Sequence, residues 1–447
     1  MESERPILQK TISIAWPAAL EGLAVNIVDL VDMAMVSKLG LTAVAAVGVT
    51  VQPKRILLMP ILSLSIGATA LVSRQIGAKQ EEKANHSMQQ FLLLALTAGA
   101  VLYGLGFVLA EPFMRFSGAN EETLPGAAIY FKILVVGQYL QAMSLMINAC
   151  LRAAGKTRIS MTTNLTANIV NVIFNYLLIF GNFGFPKWGV AGAAVAASLG
   201  SLSAFLISVW SVRRRAGNPL YLKYDPASWR PDFRSVTSVA SVTFSAFEEQ
   251  FFQRLGLFLF TRLAASLGTV EFALYQMIMN TGNLQGYTID GVATAATALT
   301  GQSLGAKRPD LAERYGKASL KIGYVLQLIM LTFFLVFSRQ VLGFFTDEPS
   351  VIAAGIPLMF IMEAGSYPGS GAAVYFGALR GAGDTKAPAR VTLIIVAVIR
   401  PIISWFFCYP LGLKLTGIWI GYTIAHILRW FLIRQHYRRG TWKTIVI

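Results

Sequence analysis

The sequence predicts an all-α integral membrane protein with twelve transmembrane helices in two pseudo-symmetric lobes of six. Three observations lead there. Of the 447 residues 55% are hydrophobic and only 13% charged, about half the charged fraction of a soluble protein. Apolar runs of about 20 residues recur from end to end, each long enough to cross the hydrocarbon core as a helix. A long stretch of sequence is also repeated at one constant offset. The runs lie near 11–37, 43–74, 90–111, 124–148, 160–181, 188–211, 238–266, 270–302, 318–340, 352–378, 389–410 and 415–436. Their pattern is helical or continuous, without the strict alternation of a β-barrel, which places the bundle in an inner membrane. The opening MESERPILQK is polar, and the apolar run after it is too long for a cleavable signal peptide.

The repeat is read from its motifs. Ala68-Thr69-Ala70-Leu71 with Gly77-Ala78-Lys79 recurs as Ala296-Thr297-Ala298-Leu299 with Gly305-Ala306-Lys307, and 305 − 77 = 228. Leu151-Arg152-Ala153-Ala154-Gly155-Lys156-Thr157 recurs as Leu379-Arg380-Gly381-Ala382-Gly383-Asp384-Thr385, and 380 − 152 = 228. Gly40 with Gly268, and Gly189-Val190 with Gly417-Ile418, keep the same offset. Six helices per half is an even number, so both halves enter the membrane from one side, as parallel repeats. The basic, Pro-containing stretch 213–234 is too long for a hairpin and divides them. The expected domains are an N-terminal lobe over 1–211, a cytoplasmic linker over 212–237, a C-terminal lobe over 238–436 and a cytoplasmic tail over 437–447. The lobes are expected to form a V around a cavity that opens to one side at a time. Each repeated motif ends a span, where Gly can stop the helix and the cation meets its carbonyl end, so these motifs read as scaffold.

The net charge of +16 does not signal nucleic acid. With a cytoplasmic N-terminus, most Lys and Arg fall on the cytoplasmic side, as the positive-inside rule requires. The basic segments 213–234, 307–321 and 429–443 then read as topology determinants beside anionic lipid. Cys150 and Cys408 are far apart, and His86, His426 and His436 lack ligand-like spacing, so neither a disulfide nor a metal site is expected. No nucleotide-binding P-loop occurs, which excludes ATP-driven transport.

Seven carboxylates interrupt the apolar runs: Glu21, Asp29, Asp32, Glu248, Glu249, Asp290 and Glu363. A charge at bilayer depth costs at least about 2.5–3.5 kcal/mol, so such groups usually face a wet cavity or an ion path. Glu21 and Asp32 are eleven residues apart, close to three turns, and Asp29 lies about 60° round from Asp32, giving one polar stripe on the first helix. Three carboxylates on one stripe cannot all be ionised cheaply, and desolvation favours the neutral form of such a group, so the stripe can exchange protons. Glu249 is the repeat mate of Glu21 (249 − 21 = 228). Glu248 and Glu249 share their helix with Arg254 and Arg262, which suggests local Glu–Arg pairing. Asp290 and Glu363 are candidates to line the cavity, and Arg400-Pro401 reads as structural. Lys54 and Arg55 lie about 17 Å into the second span, level with Asp29. Buried cations need a nearby carboxylate, so an ion pair with Glu21, Asp29 or Asp32 is expected. Alternatively, one of the two cations reaches the cavity and admits anionic or zwitterionic substrates.

The chain resembles the MATE (multidrug and toxic compound extrusion) family. The resemblance rests on Val31-Asp32 with Lys38-Leu39-Gly40 and Ala43-Val44-Ala45-Ala46-Val47-Gly48, Ser73-Arg74 with Gly77-Ala78, the Leu151 to Thr157 and Leu379 to Thr385 motifs, Asn171 with Asn175 to Gly181, and Gly189 to Ala194. It spans essentially the whole chain, and it implies twelve helices and efflux of organic compounds against H⁺ or Na⁺. By resemblance, Asp32 matches the aspartate that takes the coupling ion. Pro17 matches the proline about which the first helix bends when that aspartate is neutralised, and Asn171 an asparagine of the same ion site. Asn175 stands where the family usually has Asp, and Ala197, beside Ser198, where it often has Thr. The NorM branch has a second-lobe cation site built from a Glu and an Asp. Gln253 and Gly369 occupy those positions here, which brings the chain closer to the DinF-like branch.

The sequence therefore implies a secondary antiporter exporting small organic compounds. Its ion-coupling residues are Asp32, Asn171 and Asn175, its helix hinge is Pro17, and the other six carboxylates with Lys54 and Arg55 belong to the cavity. H⁺ is favoured over Na⁺, because a Na⁺ site needs several hard oxygens and two usual ligands are missing. No enzymatic activity, cofactor or metal is expected. The expected partners are the substrate, the coupling ion and membrane lipids, and the chain is expected to be monomeric, with both termini cytoplasmic. The rival readings are a lipid-linked precursor flippase of the same superfamily, which would lack the Asp32–Asn171 pairing, a channel, and a membrane-embedded enzyme.

Overall fold

The computed structural model describes residues 4–213, 218–232 and 237–445. Arg214, Arg215 and Arg234 of the basic stretch, and the last two residues of the tail, lie outside the described residues. Among the described residues there are twelve long helices and no strand: α1 (Glu4–Ser37), α2 (Leu41–Gly77), α3 (Glu81–Val108), α4 (Leu124–Ala153), α5 (Thr157–Phe180), α6 (Gly189–Ser211), α7 (Ala240–Ala265), α8 (Thr269–Gly305), α9 (Pro309–Val336), α10 (Pro349–Gly381), α11 (Lys386–Cys408) and α12 (Lys414–Arg439). Nine of these are long and apolar enough to cross a membrane. The other three are α1, α7 and α8, the helices that carry Glu21, Asp29, Asp32, Glu248, Glu249 and Asp290.

The repeat is written into the helix boundaries. Adding 228 to the bounds of α2 gives those of α8, and adding 228 to those of α3 gives those of α9. Backbone torsions repeat as well: Gly155 and Gly383 have φ of 80° and 81°, and Lys79 and Lys307 of 58° and 57°. The last pair corrects one expectation. In Gly-Ala-Lys the glycine is the final helical residue, and the left-handed turn falls on the lysine. There Lys79 N–H donates to the Ile76 carbonyl at 3.0 Å and Gln80 N–H to that of Gln75 at 2.9 Å, the double bond that closes a Schellman end. In Leu-Arg-x-Ala-Gly the glycine does stop the helix, with Lys156 N–H donating to the Leu151 carbonyl at 2.8 Å.

The chain divides into two compact units, Leu20–Ala240 and Met1–Ala19 with Ser241–Ile447. In the first, α4 packs against α2, α3 and α6, and α5 against α6. In the second the mates repeat this: α10 packs against α8, α9 and α12, and α11 against α12. Without water to drive helices together inside a bilayer, close contact between small residues holds them. Buried Gly291, Ala293, Ala295, Ala296 and Ala298 on α8 serve that purpose, and Gly291 meets the Ala19 backbone where no side chain would fit.

One boundary differs from the sequence-based ones. Residues 4–19, counted with the N-terminal lobe from sequence, pack with the second unit, because Ile7, Ile14 and Ala15 enter a core with Ile289, Phe376 and Tyr437. The described part of the expected linker is fastened to α3. Buried Asn85 donates to the Pro219 carbonyl at 3.1 Å and accepts from Tyr221 N–H at 2.5 Å, while Gln89 and Gln90 donate to the carbonyls of Lys223 and Arg230 at 2.8 and 2.9 Å. Asn85 and Gln89, four residues apart, share one face of α3.

α11 changes its winding midway. It is α-helical over Lys386–Val391, π-helical over Thr392–Ile399 and α-helical again from Arg400. Pro401 has no N–H to donate back along the helix, which accounts for the break in the regular ladder beside it. Arg400 is buried with its guanidinium over the Phe260 ring, 4.8 Å from the centroid.

Candidate functional site

In the first unit, α1 and α5 bring together Asp32, Asn171 and Asn175. The two asparagines are four residues apart, hence on one face of α5. Asn175 Nδ2 donates to Asp32 Oδ1 at 2.6 Å and to Asn171 Oδ1 at 2.9 Å. Both asparagines are buried, at 8% and 1% exposure, while Asp32 is half-buried. One turn further along these helices, Val36 and Ile179 pack with Tyr130 into an apolar floor. Asp29, Lys54 and Tyr130 lie close enough for electrostatic interaction with Asp32.

Glu21 has a separate environment three turns before Asp32. Its carboxylate accepts from Arg152 Nη1 at 3.4 Å, Asn164 Nδ2 at 2.8 Å and the Ser160 hydroxyl at 3.0 Å. The three carboxylates of the stripe thus differ: Glu21 is neutralised by Arg152, Asp29 is exposed, and Asp32 is held by amides. The expected ion pair to Lys54 or Arg55 does not form. Among the described residues neither cation comes within 4.0 Å of a carboxylate, and Arg55 is exposed. Depth along a helix fixes height but not direction, and the compensating charge comes from α4 instead.

The second unit holds a cavity of about 530 Å³ lined by α7, α8, α9, α10 and α12. Its charged residues are Glu249, Asp290, Arg380 and Arg429, with His426 beside them. Glu249 is bound to Arg380 at 2.5 Å, so its partner is on α10 and not the local Arg254 or Arg262. Glu249 and Arg254 are five residues apart, about 140° round the helix, which turns them away from each other. Glu363 is buried behind the wall, accepting from Gln285, and Gln327 donates to Gln285 at 2.7 Å. Glu248 lies outside the cavity, in a groove beside Lys386 and Arg390. Gln253 and Gly369 both line the cavity. Arg429, grouped with the basic tail from sequence, instead lines this cavity with its guanidinium 4.3 Å from the centroid of the Phe376 ring.

Sequence reasoning missed Arg152, Arg380 and Arg429 as site residues. A signal for the first two was present: Glu21 and Arg152 recur together, 228 residues on, as Glu249 and Arg380.

The fold agrees with known transporters. A solved multidrug resistance MATE family transporter of the MOP superfamily, in an outward-facing conformation, superposes with a TM-score of 0.91 at 20% identity, covering 98% of this chain and 97% of that one. A MOP superfamily transporter from Pyrococcus furiosus gives 0.89 at 21% identity over 98% and 97%. An uncharacterized transporter of Bacillus subtilis, YisQ, is 25% identical across 96% of this chain and 94% of its own. The probable multidrug resistance protein NorM of Thermotoga maritima is 25% identical across 98% and 93%. The MatE family model matches twice, at residues 17–177 and 246–406, starts that differ by 246 − 17 = 229, within one residue of the internal offset. Its two matches cover well over half of the sequence, and the chain belongs to the MatE family of transporters.

Proposed function

We propose that this transporter exports small organic compounds in exchange for protons, with Asp32 as the proton carrier and the first lobe as the site of coupling, as in the DinF-like branch. The observation that carries this reading is the contrast between Glu21 and Asp32. Glu21 is locked by Arg152, Ser160 and Asn164, whereas Asp32 accepts its hydrogen bond from a neutral amide and feels the charge of Lys54 only beyond ion-pair distance. When ionised, Asp32 accepts from Asn175; when protonated, it can itself donate to an amide oxygen, so the proton rewires the α1–α5 contact. Asn171 and Asn175 hold the carboxylate in place for both states. Carboxamide oxygens and a single carboxylate form a poor cage for Na⁺, which wants several hard oxygens. Pro17 on α1 supplies a point where the helical ladder lacks a bond, and α1 bends there as Asp32 changes charge. The name of the Thermotoga maritima relative supports organic compounds as cargo. A flippase of the same superfamily is disfavoured by the Asp32–Asn175–Asn171 cluster. The test is transport in proteoliposomes under an imposed ΔpH and, separately, an imposed Na⁺ gradient. Export driven by Na⁺ alone would overturn proton coupling.

A further inference from the structure

The second-lobe cavity is not used by the proton step proposed above, yet it is built from opposed charges. Glu249 and Arg380 neutralise each other across 2.5 Å. Asp290 on α8 and Arg429 on α12 remain, and both line the cavity. Among the described residues neither side chain makes an ion pair within 4.0 Å, and Arg429 Nε is buried without a hydrogen-bond partner. The Arg429 guanidinium lies over the Phe376 ring, 4.3 Å from its centroid, a contact that restrains its donors. Asp290 and Arg429 feel each other's charge and that of the Glu249–Arg380 pair, so the cavity is neutral overall but polarised within. A guanidinium fork recognises a carboxylate, and a free carboxylate recognises an ammonium or amidinium. Phe376 and Tyr422 offer aromatic faces, and Gln253, Gln285 and Gln327 offer amides. A volume of about 530 Å³ lies within the range of roughly 300–1,000 Å³ usual for small-molecule sites.

We infer that the second lobe binds zwitterionic aromatic compounds, with the anionic group on Arg429 and the cationic group on Asp290. This rests on the export reading above and names its substrate class. Plain cations would leave Arg429 unanswered, and simple anions would leave Asp290 so.

The test uses the full chain in lipid nanodiscs without any gradient, titrated by fluorescence polarisation against protein-free discs. The probes are a zwitterionic rhodamine with a free carboxylate and the methyl ester of the same dye, which is a plain cation. The wild type is expected to prefer the zwitterion by about tenfold, the size of one hydrogen bond to a charged group. Arg429→Gln should erase this preference by weakening the zwitterion alone, Arg429→Lys should keep only part of it through its charge, and Asp290→Asn should weaken both dyes. Equal wild-type affinities, or an equal loss of both dyes in Arg429→Gln, would overturn the inference. Asp32→Asn is titrated in parallel and should retain the preference; its loss there would place the dye outside the second lobe and sink the proposal. Gradient-driven export that survives Asp32→Asn would instead count against the coupling reading and leave the binding result standing.

Discussion

Arg380 meets Glu249 at 2.5 Å across a sequence separation of 131 residues, and Arg152 meets Glu21 at 3.4 Å across the same separation. In both lobes the arginine sits in the last turn of the fourth helix and reaches the first helix of that lobe. The cation therefore also faces the carbonyl end of its own helix, where positive charge is favoured.

The two pairs should differ in strength. The carboxylate decides it: Glu249 is 5% exposed though Arg380 keeps 24%, whereas the Glu21 and Arg152 side chains keep 16% and 17%. Arg380→Ala should destabilise the protein by about 3–5 kcal/mol, the usual cost of orphaning a buried charge. Arg152→Ala should cost less, because Ser160 and Asn164 still bond Glu21. Thermal unfolding in detergent checks the order, and Glu249→Gln combined with Arg380→Gln should recover part of the loss.

Asp32→Asn should abolish ΔpH-driven export in proteoliposomes while leaving a folded, monodisperse protein. Asparagine keeps the side-chain shape and can still bond the α5 amides, so the loss would reflect the missing proton. Export at wild-type rate would move coupling to another carboxylate, with Glu363 and its Gln285–Gln327 relay next in line.

Lys79→Gly and Lys307→Gly should each raise stability by about 1 kcal/mol, since glycine takes the left-handed turn without a Cβ penalty. Both lysines sit at φ near +57°. Melting temperatures of the single and double variants provide the check; a fall in either would mean that the lysine charge matters more than its backbone.

Asn85→Ala should free the 218–232 segment. Its side chain bonds both Pro219 and Tyr221, and losing a buried partner of this kind costs about 1–3 kcal/mol. Limited proteolysis should cut between residues 218 and 232 faster in this variant, with α3 itself intact.

The helices and their repeat were readable from the sequence because both are local signals: apolar run length and a constant spacing between motifs. The Asp32–Asn171–Asn175 grouping came from resemblance, and helical spacing explains why both asparagines face the same way. What could not be read was the direction in which a side chain points across to another helix. Lys54 and Arg55 matched the carboxylates in depth yet failed to pair with them. Glu249 found Arg380 on a helix more than a hundred residues away. Arg429 looked like one more cation in a basic tail, and only the packing of α12 against α10 turned it onto Phe376 and into the cavity.

The twin Glu–Arg pairs also carry information about ancestry. They stand at corresponding places in both halves, so the clasp belongs to the six-helix unit that the sequence repeats. The chemistry was not inherited in the same way. Moving Asp32, Asn171 and Asn175 by 228 positions lands on Phe260, Ile399 and Ile403, and moving Asp290 and Arg429 back lands on Leu62 and Ser201. Each half thus kept the shared skeleton and acquired a private vocation. Grafting the Asp32 trio onto the second half, at positions where the skeleton is already common, is the engineering experiment this history invites.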